Sequence, residues 1–299
     1  MIQPPYLQRG DRIAIVSPAR AVSFDELHLA MKLFRKWELE VILGTYVFNS
    51  EDQFAGTDAQ RTKDFQTMLD DQSIRAIICA RGGYGSVRII DRLDFTGFLS
   101  HPKWIVGYSD ITVMHSHIHR HFGIETLHAT MPLNMTENHF DNASIETLRK
   151  ALIGESLAYS KKATSYDRCG LAEGILTGGN LSILCSLMGS HSQIDTKGKI
   201  LFIEDVDEYL YHVDRMMMNL KRAGMLRELK GLIVGSMQGM KDNTIPFGKT
   251  SQQIIADAVK EYKYPVCFDF PSGHGPENLA LIMGRKVKMI VEEEVELGF

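Results

Sequence analysis

The stretch WIVGYSDITVMHSHIH, residues 104–119, places a serine on a sharp turn between a predicted strand and a predicted helix. Residues 104–106 are apolar and partly β-branched, as at the end of a buried strand, and residues 110–121 have helical spacing. On such a turn the Ser109 hydroxyl is exposed, and the following N–H points to where an oxyanion would form. A simpler interpretation is that Ser109 only caps the helix.

The sequence around this turn alternates between short apolar runs and segments with helical periodicity. Because parallel strands need crossover helices, the alternation predicts an α/β fold with a mostly parallel N-terminal sheet flanked by helices. The strands are predicted at 12–16, 40–43, 74–79, 104–106 and 125–128, and the helices at 24–37, 58–70, 85–93, 110–121 and 145–153.

The second half of the chain has a different pattern. Residues 154–170 are polar and aperiodic and are interpreted as a linker. Beyond them, short strands mix with helices, which predicts a smaller, β-rich α+β domain. The predicted division is therefore 1–153, 154–170 and 171–299. In the last part, strands are predicted at 173–176, 199–203, 232–234 and 287–291, and helices at 180–188, 208–223 and 249–260.

Composition limits the class of protein. Apolar residues make up 44% of the 299 residues, enough for a large core, and the formal net charge of −4 favours neither nucleic acid nor an anionic membrane as a partner. The chain has no apolar run of the roughly 18 residues that span a bilayer. The first residues do not resemble a secretory signal, and the four cysteines form no CxxC pair. We expect a cytoplasmic protein with reduced thiols.

A glycine-rich turn follows the third predicted strand, in ICARGGYGSVRIID, residues 78–91. Its glycines allow a tight turn with free N–H groups at a helix start, which suits either a phosphate or an oxyanion. The spacing matches neither a Walker A motif nor a complete dinucleotide fingerprint. Both this turn and the Ser109 turn follow parallel strands, so we expect them in one crevice.

A catalytic serine needs a base and an acid that orients the base. Glu204 and Asp205 end an apolar run, which places carboxylates at a strand tip. His274 lies between two glycines in a predicted loop, where it is accessible as a base, although most loop histidines are merely solvated.

Together these pieces resemble the LD-carboxypeptidase family, which comprises murein tetrapeptide carboxypeptidases and microcin C immunity peptidases of serine peptidase family S66. The resemblance covers essentially the whole chain. The matching motifs are I-x-P-P-x-L-x-x-G-D at 2–11, S-P-A at 17–19, A-R-G-G-Y-G at 80–85, G-Y-S-D-I-T at 107–112, G-G-N-L-S at 178–182, F-I-E-D-V-D-E at 202–208, Y-x-x-D-R at 211–215 and G-H-G-P-E-N at 273–278.

The resemblance implies that Ser109 is the nucleophile, His274 the base and Glu204 the orienting acid. It implies that the backbone N–H groups of Asp110 and Gly83 form the oxyanion hole. It further implies a site between two domains, a homodimer, a small peptide substrate, and no metal or organic cofactor.

Weaker substrate-binding candidates lie in the glycine-rich turn: Arg81, Gly82 and Tyr84. Arg81 can bind a carboxylate through two hydrogen bonds, or it can serve in a structural ion pair. The chain departs from the family where residues 278–284 read NLALIMG instead of N-x-T-L-P-I-G. The missing threonine and proline raise a question about strand geometry next to His274.

Other chemistry-bearing residues have two interpretations. His115, His117, His119 and His121 include i,i+4 pairs that suit a metal, but they lack H-E-x-x-H and also suit an ordinary helix face. Residues 216–218, three methionines, are interpreted as core or interface filler. Asp205, Asp207 and Glu208 crowd Glu204, either as solvated residues or at a hinge of the C-terminal domain.

Three functions remain open from the sequence. The first is a serine carboxypeptidase that releases the terminal D-alanine from murein tetrapeptide in cell-wall recycling. The second is an immunity-type peptidase that cleaves aminoacyl-nucleotide antibiotics. It is less favoured because a nucleotide needs an aromatic stacking partner and Trp104 is on a strand. The third is a non-catalytic, two-lobed anion-binding protein.

Overall fold

The computed structural model describes residues 1–136 and 142–299, which contain thirteen strands and eight α-helices. The strands are β1 (Arg12–Val16), β2 (Glu40–Leu43), β3 (Ile74–Cys79), β4 (Trp104–Val106), β5 (Thr126–His128), β6 (Ala158–Lys162), β7 (Gly170–Asn180), β8 (Ile200–Val206), β9 (Gly231–Gln238), β10 (Val266–Cys267), β11 (Leu281–Met283), β12 (Lys286–Val291) and β13 (Glu294–Gly298). The helices are α1 (Phe24–Lys36), α2 (Asp58–Asp70), α3 (Thr96–Ser100), α4 (Thr112–His121), α5 (Ala143–Ile153), α6 (Leu181–Ser186), α7 (Leu210–Arg222) and α8 (Ser251–Ala258).

The first sheet has the order β11-β5-β4-β3-β1-β2, and β1 to β5 are parallel. Helices cover both of its faces. Ile13 and Ile15 of β1 belong to one core with α1 and α5, whereas Ala14 and Val16 belong to a second core with α2 and α4. Successive strand residues point to opposite faces, so burial on both sides accounts for the continuous apolar runs. The predicted α/β class with a mostly parallel N-terminal sheet is confirmed.

Helix starts in this lobe follow from local hydrogen bonding. Ser23 caps α1 by accepting a hydrogen bond from the Glu26 N–H at 3.3 Å, and the Glu26 carboxylate accepts one from the Ser23 N–H at 2.7 Å. Such reciprocal caps satisfy donors that the first helical turn leaves free.

The second sheet has the order β10-β9-β8-β7-β12-β13-β6. Strands β7 to β10 are parallel, and β12, β13 and β6 are antiparallel. Helices α6, α7 and α8 pack on it through a third core. Met216 and Met217 are buried in that core, as expected for filler residues, whereas Met218 is 41% exposed. We call the first sheet with its helices the N-terminal lobe and the second sheet with its helices the C-terminal lobe.

Residues 154–170, predicted as a linker, contain strand β6 at the edge of the second sheet. Alternate residues of β6 are exposed and the others only half-buried, so the strand is held by main-chain pairing with β13 and by one aromatic side chain, Tyr159, which packs on the core. A hydrophobic pattern cannot reveal such a strand.

The chain also returns to the first sheet, because β11 pairs antiparallel with β5. The C-terminal part of the chain therefore contributes one strand to the first sheet.

The predicted helix at 85–93 is instead two short 3-10 turns, Ser86–Arg88 and Ile90–Arg92. Main-chain groups at the start of this segment bond to side chains of other elements: the Ser86 N–H donates to Asp110 at 2.8 Å, and Gly85 O accepts from Arg61 at 3.1 Å. Among the residues that the structure describes, no helix is both long and apolar enough to cross a membrane.

Candidate active site

Ser109 lies on a strained turn between β4 and α4. Its φ is +63°, in the left-handed region that costs a non-glycine residue about 1–3 kcal/mol. A short 3-10 turn, Ser109–Ile111, leads into α4. A side chain at Gly107 would place its Cβ 2.8 Å from Ile111 Cγ1, so the turn requires glycine there. The structure thus has the strand-turn-helix geometry that suits a nucleophile, with Ser109 itself half-buried.

His115 on α4 stabilises this turn through a buried hydrogen bond. Its Nε2 donates a hydrogen bond to Gly107 O at 2.9 Å. Burial lowers the pKa of His115 to about 4, despite the hydrogen bond, so the ring is neutral at physiological pH. The His115 side chain therefore has a structural role beneath the serine turn.

The glycine-rich turn approaches Ser109 closely. A Cβ on Gly82 would be 2.9 Å from Ser109 Cβ and 3.3 Å from Asp110 N. Gly83 has a φ of +109°. The N–H groups of Asp110 and Gly83 donate to no protein acceptor within the described ranges. Two free N–H groups on neighbouring turns fit the predicted oxyanion hole.

Buried Arg61 anchors the glycine-rich turn, and the sequence analysis missed it. This residue is 2% exposed and donates to Pro18 O at 2.6 Å and to Gly85 O at 3.1 Å. Its guanidinium also pairs with Asp58. The sequence contains a signal, because residue 61 shares the buried face of α2 with Phe65. A charged residue on the apolar face of a helix needs internal partners.

Glu204 and His274 form a hydrogen-bonded pair. The Glu204 carboxylate, on β8, is fully buried, and its Oε2 lies 2.6 Å from His274 Nδ1. A Cβ on Gly273 would lie 2.7 Å from that oxygen, so the glycine before the histidine permits the contact. Nδ1 is the donor in this bond, which leaves Nε2 as the free basic nitrogen.

Burial by itself would lower the pKa of His274, but the hydrogen bond and the charge of Glu204 raise it above the usual value. A buried carboxylate therefore stabilises the imidazolium that forms when the ring accepts a proton. This is the electrostatic requirement of a general base in acyl transfer.

The His274 ring lies beside the serine turn. It packs against Tyr108, the residue before Ser109, with ring centroids 4.8 Å apart. In the part of the chain that the structure describes, no hydrogen bond joins the Ser109 hydroxyl to the His274 ring. Catalytic hydrogen bonds of this kind commonly tighten only when substrate binds. The three predicted triad residues thus come from both lobes, with two of them directly bonded.

The weaker substrate-binding candidates have structural contacts. The half-buried Arg81 donates from Nη1 to Ala21 O at 3.1 Å, so part of its hydrogen-bonding capacity is used internally. Tyr84 is 43% exposed, and its ring lies 5.9 Å from that of Phe54.

The carboxylates near Glu204 differ in their environment. Asp205 is 2% exposed, and burial followed by the charge of Glu204 raises its pKa to about 7. Glu208 hydrogen-bonds His212 Nδ1 at 2.5 Å, one turn along the chain. Asp207 is exposed, has a φ of +60° and pairs with Lys241 at 3.5 Å. Only Asp205 is both adjacent to Glu204 and buried.

The four histidines of α4 have separate partners. His117 bonds Ser192 Oγ at 2.9 Å, His119 bonds Thr126 Oγ1 at 3.1 Å, and His121 donates to a main-chain oxygen in the C-terminal lobe at 2.8 Å. Across residues 1–136 and 142–299, no group of three or more His, Cys, Asp or Glu side chains is placed to hold a metal ion.

The two halves of the chain match the two domains of a known protein family. Residues 13–129 match the LD-carboxypeptidase N-terminal domain and residues 173–289 match the LD-carboxypeptidase C-terminal domain. A probable murein peptide carboxypeptidase of Bacillus subtilis (strain 168) is 34% identical over 98% of this chain and 92% of its own length. The murein tetrapeptide carboxypeptidase of Pseudomonas aeruginosa PAO1 is 28% identical over 92% of this chain and 91% of its own.

Solved structures give the same result. The muramoyltetrapeptide carboxypeptidase of Oxalobacter formigenes superposes with a TM-score of 0.88 at 25% identity, covering 96% of this chain and 98% of that one. The microcin C7 self-immunity protein MccF, in its wild-type apo state, has a TM-score of 0.86 at 19% identity over 100% and 99%, and so shares the fold. The chain belongs to the LD-carboxypeptidase family, peptidase family S66.

Proposed function

We propose that this protein is a serine carboxypeptidase that cleaves the L-D peptide bond of murein tetrapeptide and releases the terminal D-alanine in cell-wall recycling. The observation that carries the proposal is the buried Glu204–His274 hydrogen bond of 2.6 Å beside the strained turn of Ser109. The names of the relatives from Bacillus subtilis and Pseudomonas aeruginosa support this choice of substrate.

In the proposed reaction Ser109 Oγ attacks the carbonyl carbon of the last peptide bond, and His274 Nε2 accepts the hydroxyl proton. The oxyanion receives hydrogen bonds from the N–H groups of Asp110 and Gly83. The carbon–nitrogen bond then breaks, and the imidazolium returns its proton to the leaving amine. Water, activated by the same ring, hydrolyses the acyl-enzyme and regenerates the serine.

The decisive assay is incubation with L-Ala-D-Glu-meso-diaminopimelate-D-Ala, followed by mass spectrometry. We expect loss of one alanine, and no loss in Ser109→Ala, whose turnover falls by several orders of magnitude. A parallel incubation with an aminoacyl-sulfamoyl adenosine tests the immunity-type alternative, which uses the same chemistry. A Ser109→Ala variant with unchanged function would instead support a non-catalytic binding protein.

We further propose a cytoplasmic homodimer with no metal or cofactor requirement, and a chain divided near residues 154–170 into a nucleophile-bearing and a Glu/His-bearing domain. These expectations rest on the family resemblance and on the composition. Light scattering on the purified protein measures the subunit number directly, and a monomer at micromolar concentration would contradict the dimer. Full turnover after exhaustive chelation is the expected result for a metal-free reaction.

A further inference from the structure

Helix α4 contacts the C-terminal lobe immediately after the serine turn. Thr112, three residues beyond Ser109, is fully buried, and its Oγ1 accepts a hydrogen bond from the Asn180 N–H at 3.0 Å. Asn180 ends β7 in the second sheet. This hydrogen bond therefore crosses from the lobe that carries the serine to the lobe that carries Glu204.

The contact between Thr112 and the end of β7 is tightly packed. A Cβ added to Gly179 would lie 2.5 Å from Thr112 Oγ1 and 2.8 Å from Thr112 Cγ2. The backbone of β7 consequently rests directly on the threonine side chain. Loss of the Oγ1 acceptor therefore alters how closely the two lobes approach each other at the serine turn.

Asn180 links Thr112 to the segment that carries Glu204. Its Nδ2 donates to Asp205 Oδ1 at 2.9 Å, and Asp205 follows Glu204 in the chain. Asn180 is also the main-chain partner of Glu204 in the pairing of β7 with β8. Thr112, Asn180 and Asp205 are each at most 5% exposed, so solvent does not weaken the connection.

We propose that Thr112 is a positioning residue that sets the placement of Ser109 relative to the Glu204–His274 pair. The inference rests on the proposed function, in which these three residues form the triad. Glu204 and His274 are bonded to each other independently of Thr112. Thr112 therefore controls their alignment with the serine, and a displacement of about 1 Å at such a site costs about 100-fold in rate.

The test compares Thr112→Val with Thr112→Ser. Valine has nearly the shape of threonine but accepts no hydrogen bond, which leaves the buried Asn180 N–H without a partner, whereas serine keeps the acceptor. We expect kcat on the murein tetrapeptide to fall at least about 10-fold in Thr112→Val, with KM within about two-fold, and to stay within about three-fold of wild type in Thr112→Ser. The His274 pKa, followed by NMR titration, stays unchanged in both variants.

Ser192→Ala is the matched control. Ser192 is buried and bonds His117 in the middle of α4, so this variant also removes one hydrogen bond between the same helix and the C-terminal lobe. We expect it to lower the melting temperature while leaving kcat unchanged. Wild-type kcat in Thr112→Val, equal losses in Thr112→Val and Thr112→Ser, or an equal loss in Ser192→Ala would each overturn the inference.

Crystal structures separate this inference from the proposed function. If the wild-type protein cleaves no peptide, the proposed function fails, but the distance from Ser109 Oγ to His274 Nε2 still reports on Thr112. A distance longer by about 1 Å in Thr112→Val, with the wild-type value in Thr112→Ser, supports the positioning role. The same distance in all three proteins refutes it.

Discussion

Glu204→Gln removes one charge from the centre of the site while keeping the size of the side chain. The native carboxylate is fully buried and bonds His274 Nδ1 at 2.6 Å. A hydrogen bond to a charged group contributes about 1.5–3 kcal/mol, which corresponds to about 10- to 150-fold in rate if the interaction is fully lost when the imidazolium forms. An amide that turns its NH₂ toward Nδ1 also imposes the wrong tautomer, and that raises the loss to about 10⁴-fold.

The same substitution changes the pH dependence in a defined direction. The base must be neutral, so activity falls as the pH drops below the pKa of His274. Burial lowers that pKa and Glu204 more than compensates, raising it above the usual value. Without the carboxylate the lowering effect of burial is opposed only by the smaller effects of the Asp205 and Asp207 charges, so the acid limb of kcat/KM moves to lower pH while the plateau falls.

The assay is D-alanine release measured from pH 4 to pH 9, with Asp207→Asn as the matched control. Asp207 also acts on His274 by charge, but it is exposed and forms no hydrogen bond with the ring. We expect a near-native profile for this control. An acid limb that stays in place in Glu204→Gln, or a plateau within three-fold of wild type, would refute the assignment of Glu204 as the orienting acid.

Three further substitutions test close and buried contacts of the N-terminal lobe. Gly82→Ala places a Cβ 2.9 Å from Ser109 Cβ, so kcat should fall by about 100-fold or more while the far-ultraviolet circular dichroism spectrum is retained. Arg61→Leu removes a buried cation that donates to three carbonyls and pairs with Asp58, and we expect urea denaturation to show about 3–5 kcal/mol less stability. Lys103→Met removes a 1%-exposed ammonium that donates to three carbonyls at the end of α2, at 2.7–2.9 Å. It should cost about 1–3 kcal/mol in the same experiment without changing kcat. Native stability in either of the last two variants would contradict the corresponding buried contacts.

Periodicity predicted most of the first sheet well because its central strands β1, β3 and β4 are buried on both faces. The predicted bounds of β1, β2, β3 and β4 agree with the structure. The same method fails for β6, whose sequence AYSKK places a single large apolar side chain, Tyr159, on the core. It also fails at residues 85–93, because tertiary bonds to Arg61 and Asp110 prevent a regular helix from forming.

The site was predictable only in part. Motifs identified Ser109, Glu204 and His274, whose geometry depends on strand ends and glycines that the sequence displays. Contacts between distant segments were not predictable: the internal bonds of Arg61 and the packing of Thr112 on β7 depend on how whole elements meet. Hydrophobic pattern specifies which face of an element is buried, but not which polar atom it meets there.

The loop that carries His274 is held by both lobes, which bears on the departure of this chain from its family at residues 278–284. On one side the ring bonds Glu204 of the second sheet. On the other, β11 pairs with β5 of the first sheet, and the Ala280 N–H donates to Thr147 Oγ1 at 3.0 Å.

The Asn278 N–H donates in the same way to Ser144 Oγ at 2.8 Å. These bonds use the main chain of residues 278–283, so the strand forms without the family's threonine and proline. The placement of the loop is thereby shared between the two sheets, whereas the serine turn follows β4 of the first sheet and meets the second sheet through Thr112. A change in the relative position of the two lobes consequently displaces the base, His274, less than it displaces the nucleophile, Ser109. A contact at the serine turn is therefore better suited than one at the histidine loop to set the alignment of the triad.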